Sequence, residues 1–256
     1  MSNTRDKYYF LSDFHLGIPD NSSSRARELI LIKWFDEVKN DAKEIYILGD
    51  IFDFWFEYSK VVPKGYVRFL AKIADLVDCG VRVHVFHGNH DLWEFKYLRD
   101  ELGVIYHRRP ETIECAGKKI HLAHGDGLGP DDIFYKLLLR IFEGKFNQLL
   151  FRWIHPDLGI RIASKLSNKH RYIKRQKLGK DVDIVIENEL LYKYAIGKAK
   201  ENPEIDYFIF GHRHVPILIK IPDSNSSFAL LGDWMTHFTY CVLDSSGNLS
   251  LNKYQT

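Results

Sequence analysis

Ile45-Tyr46-Ile47-Leu48-Gly49-Asp50-Ile51-Phe52-Asp53 is an apolar run of strand length that empties into a glycine and two carboxylates. The same plan recurs along the chain. Tyr8 to Leu11 leads to Asp13-Phe14-His15, and Val81 to Phe86 leads to Gly88-Asn89-His90-Asp91. Lys119 to Ala123 leads to His124-Gly125-Asp126, and Tyr207 to Phe210 leads to Gly211-His212-Arg213-His214. Short apolar runs bounded by such residues read as buried strands. Each polar stretch is therefore predicted on a loop at a strand end, where side chains from several strands converge.

Between these runs the first half alternates strand and helix: strands over 8–12, 45–48 and 81–86, and helices over about 24–39, 64–79 and 94–102. This alternation reads as right-handed βαβ units with a mostly parallel sheet. Ser22 to Ser24 are the expected cap of the first helix, whose apolar face is expected to include Leu29, Ile30, Ile32, Trp34 and Phe35. Residues 111–123 read as a hairpin turning near Ala116-Gly117-Lys118. From Asp206 onward the pattern is mainly strands, over 206–210, 216–221, 227–231, 238–243 and 249–254, with antiparallel pairing expected. The expected fold class is α/β: two mixed sheets face to face with helices outside, a four-layer α/β/β/α sandwich forming a single domain over 1–256. Residues 131–202 interrupt it as a helical insertion. Apolar positions there recur at helix spacing from Ile133 to Phe142, and 181–200 reads as a return helix.

With 45% hydrophobic and 27% charged residues in 256, the composition is that of a folded domain with a sizeable core, which excludes disordered and fibrous classes. No apolar run is long enough to span a membrane. The polar start, Met1 to Lys7, lacks a signal-peptide core, so an intracellular location is expected. Cys79, Cys115 and Cys241 are widely separated and suggest neither a disulfide framework nor a zinc ribbon. The net charge of +2 is unevenly distributed: Lys136 to Lys180 holds 12 Lys or Arg against Glu143 and Asp157, a local +10 that leaves −8 elsewhere. Such a run is either a solvated helical face or a contact for an anionic surface or ligand.

Singly, an aspartate at a strand end caps a turn and a histidine forms a hydrogen bond. Together, Asp13, His15, Asp50, Asn89, His124, His212 and His214 are two carboxylates, one amide and four imidazoles aimed at one edge. Hydrolysis of a phosphate ester or anhydride requires charge neutralisation on the phosphoryl oxygens and a hydroxide-like nucleophile. Two cations about 3.5–4 Å apart supply both. A carboxylate is the ligand that bridges two cations well, and Asp50 is the best candidate.

The order DxH, GDxxD, GNHD, HGD, GHxH resembles the calcineurin-like metallophosphoesterase superfamily over residues 13–214. That resemblance implies a metallophosphoesterase sandwich with one divalent metal on Asp13, His15, Asp50 and His214, and a second on Asp50, Asn89, His124 and His212. It further implies that His90 contacts the phosphoryl group or protonates the leaving oxygen, that Asp91 orients His90 or its neighbours, and that Asp53 holds a ligand histidine in its tautomer. Arg213 is expected to turn to solvent. Asp126 is left without a role, and Asp233 either supports a ligand or terminates a strand.

A second resemblance rests on His124-Gly125-Asp126-Gly127-Leu128-Gly129-Pro130-Asp131-Asp132 with Tyr135 and the basic insertion. It is to the UDP-2,3-diacylglucosamine diphosphatases of lipid A synthesis; GDIFDFWFEY, GNHDLW and HGDGLGP are similar to their Bacteroidetes-type branch. That family cleaves the pyrophosphate of a nucleotide-linked diacyl sugar to UMP and 2,3-diacylglucosamine 1-phosphate, receives the acyl chains under a helical lid, and is usually activated by manganese; iron and zinc suit the same donors. The chain departs from its well-studied branch at His90, where that branch has arginine. The resemblance and the insertion imply substrate contacts from Asn89, His90, Asp132, Tyr135, Ser164, Lys165, Ser167, Asn168 and Arg171. Arg152, Arg161, Lys169, Lys174 and Arg175 are further candidates for pyrophosphate contact or for docking on an anionic inner-membrane surface from the cytoplasmic side. The competing readings are a phosphoesterase for a soluble diester, nucleotide or phosphoprotein, and a nuclease using the basic segment. Nucleic acid is not the expected partner, and oligomeric state is not legible.

Overall fold

The computed structural model describes residues 5–129, 139–166 and 185–255, residues 163–166 by their backbone alone. The first part runs β1 (Lys7–Leu11), α1 (Asn21–Val38), β2 (Ala42–Ile47), α2 (Val67–Asp78), β3 (Arg82–Phe86), α3 (Tyr97–Leu102) and β4 (Ile105–His107). There follow β5 (Glu111–Cys115), β6 (Lys118–Ala123), α4 (Lys145–Arg152), α5 (Pro156–Leu166), α6 (Leu190–Glu201), β7 (Tyr207–Phe210), β8 (Pro216–Lys220), β9 (Ser227–Leu231), β10 (Thr239–Leu243) and β11 (Leu249–Lys253).

Two mixed sheets result, ordered β11-β10-β1-β2-β3-β4 and β5-β6-β7-β9-β8. Successive side chains of a strand point to opposite faces. In β1, Tyr9 and Leu11 therefore join Trp34, Phe35, Phe69 and Ile73 beneath α1 and α2. Tyr8 and Phe10 face the other way and meet Tyr46, Ile120 and Ile209 between the sheets. On the far side, Leu191, Tyr192 and Ala195 of α6 cover Phe208, Phe210 and Phe228. Strands buried on both faces read as continuous apolar runs, which is what Tyr8–Leu11 of β1, Ile45–Ile47 of β2 and all of β7 are. The four expected layers are present. Because β1 to β4 run parallel, as do β6, β7 and β9, their C-terminal ends gather at one edge.

Several local expectations are corrected. The C-terminal strands do not build one antiparallel sheet. β7 and β9 pair in parallel, only β8 is antiparallel beside them, and β10 with β11 crosses to the first sheet against β1. The cap of α1 is Asp20, whose extended backbone lets Oδ1 accept from Ser23 N at 2.9 Å, placing Ser22 to Ser24 inside the first turn. The buried face of α1 carries Leu31, Trp34, Phe35 and Val38, while Leu29 is 41% exposed. Arg27 and Glu28 take the buried positions because they serve polar groups of neighbouring elements. Arg27 donates to the His15 and Ile18 carbonyls at 2.7 and 2.5 Å, and Glu28 accepts from Phe69 N at 2.9 Å. α3 begins at Tyr97 rather than near 94, because Glu57 Oε2 accepts from the amides of Phe95, Lys96 and Tyr97 at 2.8, 2.8 and 3.0 Å. The hairpin turns at Ala116-Gly117, both with positive φ, as two-residue hairpin loops favour.

The insertion begins on residues outside those described; its described part carries α4 and α5, and α6 returns the chain to the second sheet. Among the described residues no helix is long and apolar enough to cross a membrane. α4 buries none of its residues: Phe146 is 70% exposed and the neighbouring Trp153 84%. Phe151 on its inner side packs on Phe54, Phe56 and Trp93 at ring separations of 6.0, 4.7 and 4.7 Å. The Trp93 indole donates to the Phe142 carbonyl at 2.8 Å. The insertion therefore rests on the loops after β2 and β3, which carry Asp50 and Asn89.

Candidate metal centre

The loops at the strand ends are sharply folded. Asp13, His15, Asp50, His212 and His214 all adopt positive φ, between 43° and 67°. For a residue with a Cβ the left-handed region costs about 1–2 kcal/mol. Such conformations persist where surroundings over-determine them, typically at functional sites. The loops also interlock: a Cβ on Gly49 would come within 2.8 Å of Gly88 Cα and of His124 Nδ1. Only glycine permits that approach.

Each buried carboxylate has one oxygen held by protein and the other turned inward. Asp13 Oδ2 accepts from Ser12 Oγ at 2.5 Å and from His212 N at 2.9 Å, while Oδ1 has no hydrogen-bond partner. That oxygen faces Nε2 of His15 at 3.7 Å and of His214 at 3.5 Å. Asp50 Oδ1 accepts from His90 N at 2.9 Å, and its Oδ2 lies 3.6 Å from His15 Nε2 and 3.3 Å from His124 Nε2. Asp50 thus stands between two clusters. His15 and His214 present their Nε2 atoms to each other at 3.3 Å, and Asn89 Oδ1 meets His124 Nε2 at 3.1 Å and His212 Nδ1 at 2.9 Å. Among the described residues, donor atoms of Asp13, His15 and His214 form one group that fits a metal ion, those of Asp50, His124 and His212 form another, and those of His15, Asp53 and His90 lie equally close together beside the first. An unpartnered buried carboxylate oxygen is costly without a cation or donor. The donor set, oxygen and imidazole nitrogen, suits divalent manganese, iron or zinc.

The histidine tautomers follow from their outer partners. His124 Nδ1 lies 2.6 Å from the Leu48 carbonyl, which only accepts, so Nδ1 carries a proton and Nε2 is the nitrogen turned to the centre. Asp233 Oδ2 lies 3.4 Å from His214 Nδ1, and its Oδ1 accepts from the amides of Met235, Thr236 and His237. Asp233 therefore supports His214 and ends its strand in a turn, both of the roles left open for it. Such outer hydrogen bonds orient a ligand ring. Burial would raise Asp50, but the imidazoles of His124, His90 and His15 hold its carboxyl well below the ordinary range. Burial and the neighbouring His124 push His212 down to about 3, keeping it neutral.

His90 sits beside this cluster, its ring 4.7 Å from that of His15. Its Nδ1 donates to the Asp53 carbonyl at 2.9 Å and is 3.6 Å from the Asp53 carboxylate. Burial opposes a charge on His90, but the Asp50 and Asp53 carboxylates outweigh it and raise its pKa. Asp53 thus stands beside His90, with His15 close by. Asp91 does not touch His90 through its carboxylate: Oδ1 accepts from Gly88 N at 2.9 Å and Oδ2 from Ile51 N at 2.8 Å. It staples the Asn89 loop to the Asp50 loop. Burial and the Asp50 charge push it up to about 6.

Arg213 is partly exposed, as expected between two inward side chains, but it is not free. Its Nε donates at 2.8 Å to the buried Glu189 carboxylate, which also accepts from Leu191 N at the start of α6. Asp126 lies partly buried after His124. Ser12, Glu57 and Arg27 escaped the sequence reading. A serine, a glutamate and an arginine in their positions carry no periodic or spacing signal.

A profile of calcineurin-like phosphoesterases matches residues 7–216, enclosing all of these loops. The chain belongs to the calcineurin-like phosphoesterase family. Membership implies divalent metal ions and hydrolytic chemistry on phosphate, which the two donor groups fit. Among curated relatives of this phosphoesterase is "UDP-2,3-diacylglucosamine hydrolase" of Porphyromonas gingivalis, 39% identical over 94% of this chain and 95% of that one. A protein of the same name from Yersinia pseudotuberculosis is 27% identical over 88% of this chain and 90% of its own. Solved structures with which it aligns include an archaeal phosphodiesterase, 12% identical, with a TM-score of 0.47 over 97% of this chain and 99% of that chain.

Of the expected lid contacts, Asp132, Tyr135, Ser167, Asn168, Lys169, Arg171, Lys174 and Arg175 lie outside the described residues, and Ser164 and Lys165 fall in α5, where only backbone is described. Arg152 stacks its guanidinium over Phe95, 5.9 Å from the ring centre, and Arg161 is exposed.

Proposed function

We propose that this phosphoesterase hydrolyses the pyrophosphate bond of UDP-2,3-diacylglucosamine, releasing UMP and 2,3-diacylglucosamine 1-phosphate, a step of lipid A synthesis. The observation that carries this reading is the near full-length match to the Porphyromonas relative of that name. The exposed apolar face of α4 beside the centre supports it, since burying acyl chains is worth about 0.8 kcal/mol per methylene. Asp13, His15, Asp50 and His214 would hold one divalent ion, and Asp50, Asn89, His124 and His212 the other, with manganese the proposed activator. When bound, such a pair neutralises phosphoryl charge and supplies a nucleophile near neutral pH.

The chain's own residues do the rest. His90, fixed through Nδ1 by the Asp53 carbonyl, presents Nε2 to the phosphoryl group and protonates the leaving oxygen. Asp53 positions His90, Asp91 holds the Asn89 and Asp50 loops in register, and Asp233 orients His214. Asn89, His90, Asp132, Tyr135, Ser164, Lys165, Ser167, Asn168 and Arg171 are the proposed substrate contacts. The basic segment docks the enzyme peripherally on the cytoplasmic face of an anionic inner membrane, each basic residue adding about 1 kcal/mol near the surface. Acylated and deacylated UDP-glucosamine separate this reading from a soluble-diester activity. The acylated compound is expected to give a kcat/KM at least about 100-fold higher, a difference of about 2.7 kcal/mol. Equal turnover of the two contradicts it.

A further inference from the structure

Beyond His124 the centre continues into a half-open cleft of about 130 Å³ between the ends of β3, β4 and β6 and the first described residues of the insertion. His124 lines it, whereas the aromatic seat of the insertion is built around Phe151 and Trp93; the two adjoin at Phe142 and Glu143, since Trp93 donates to the Phe142 carbonyl and Glu143 lines the cleft. The two surfaces differ in chemistry. Phe151, Phe54, Phe56 and Trp93 present only aromatic surface and one spent indole, while the cleft is lined by charged and polar groups.

Arg109 is exposed on the rim and, among the described residues, has no ion-pair or hydrogen-bond partner. Its neighbour Arg108 is already committed, donating to the Glu94 carbonyl at 2.6 Å. Inside, His87 has a side chain only 11% exposed, and its Nδ1 is buried with no hydrogen-bond partner. A buried unpaired nitrogen next to a cleft calls for a polar group from a ligand. Asp126 and Glu143 add carboxylates, the latter 3.8 Å from His87 Nε2, and the stacked pair Phe86 and His107, with centroids 4.4 Å apart, forms an aromatic wall.

A guanidinium suits a phosphate or a carbonyl oxygen, carboxylates accept from sugar hydroxyls, and an imidazole nitrogen beside an aromatic wall suits a heterocycle. Resting on the function proposed above, we infer that this cleft is the nucleotide subsite, which holds the UMP half of the substrate through Arg109 and His87 while the acyl half lies on the adjoining aromatic surface. The pyrophosphate then lies beside His124 and the other residues that would hold the metal ions.

The test uses the full chain loaded with manganese, with bis(p-nitrophenyl) phosphate as a small reporter diester. UMP is expected to inhibit reporter hydrolysis about tenfold more strongly than inorganic phosphate, and Arg109→Ala to remove most of that advantage, with Arg109→Lys restoring part of it. With UDP-2,3-diacylglucosamine, Arg109→Ala is expected to raise KM about tenfold and to lower kcat by much less. An unchanged thermal midpoint shows that the variant is folded. Wild-type inhibition by UMP no stronger than by phosphate, or an Arg109→Ala variant with unaltered UMP inhibition, overturns the subsite. A wild type that hydrolyses the reporter but not the lipid nucleotide overturns the proposed function instead, and the UMP comparison still decides the cleft.

Discussion

Asp50→Ala is expected to lower turnover by at least about 1,000-fold, about 4 kcal/mol of transition-state stabilisation, and to reduce bound metal below two ions per chain. Its Oδ2 faces His15 at 3.6 Å and His124 at 3.3 Å, while Oδ1 is held by the His90 amide. Truncation therefore removes an oxygen that faces a histidine of each group and frees the loop that carries His90. Asp50→Asn isolates the charge, because the amide keeps the shape and one oxygen. It is expected to lose nearly as much. Steady-state kinetics beside elemental analysis checks both, and near wild-type activity in the alanine variant with metal present contradicts the shared-ligand geometry.

His90→Asn is expected to separate chemistry from metal loading. His90 is grouped with Asp53 and His15 rather than with Asp13 or Asp50, and in the proposed function it acts on the phosphoryl group, so metal content is expected to stay at the wild-type value. The loss should appear in kcat, by about 100- to 1,000-fold, the range for a positioned general acid. His90→Arg puts in place the residue found in the well-studied branch of the resembling family. A guanidinium can hold a phosphate with two hydrogen bonds but does not give up a proton, so this variant is expected to keep KM better than kcat. Equal losses of metal and rate in His90→Asn assign the residue to holding the centre together rather than to the reaction.

Much of the centre is legible in the chain because each donor directly follows a strand-length apolar run, and parallel strands of adjacent order end at one edge. Local signals of that kind do not reach residues whose partners are distant in sequence. Asp53 and Asp91 are nearly interchangeable as letters; only the crossing of the two loops shows that Asp53 faces His90 while Asp91 joins the amides of Gly88 and Ile51. Arg27 and Glu28 occupy buried positions that periodicity assigns to apolar residues, because carbonyls of His15 and Ile18 and the amide of Phe69 need partners there. β4, only Ile105–His107, is too short for a periodic signal and is held by its pairing with β3. The transfer of β10 and β11 to the first sheet is likewise invisible locally, since a hairpin that alternates apolar and polar residues fits the edge of either sheet.

The centre and the insertion are also mechanically joined. Arg213, between two inward-facing histidines, bonds Glu189 at the start of α6, and a Cβ on Gly125, next to His124, would meet Leu191 at 2.8 Å. Both loops that bring His124 and His212 to the centre therefore rest on the helix by which the insertion returns.

The central claim is that this centre cleaves a lipid-linked nucleotide pyrophosphate, and the most direct measurement incubates the purified, manganese-loaded chain with UDP-2,3-diacylglucosamine while following both products. UMP and 2,3-diacylglucosamine 1-phosphate are expected in equal amounts, with formation abolished by chelation and restored by manganese. A preparation that hydrolyses a small aryl phosphodiester with the same metal yet releases no UMP from the lipid nucleotide contradicts the account.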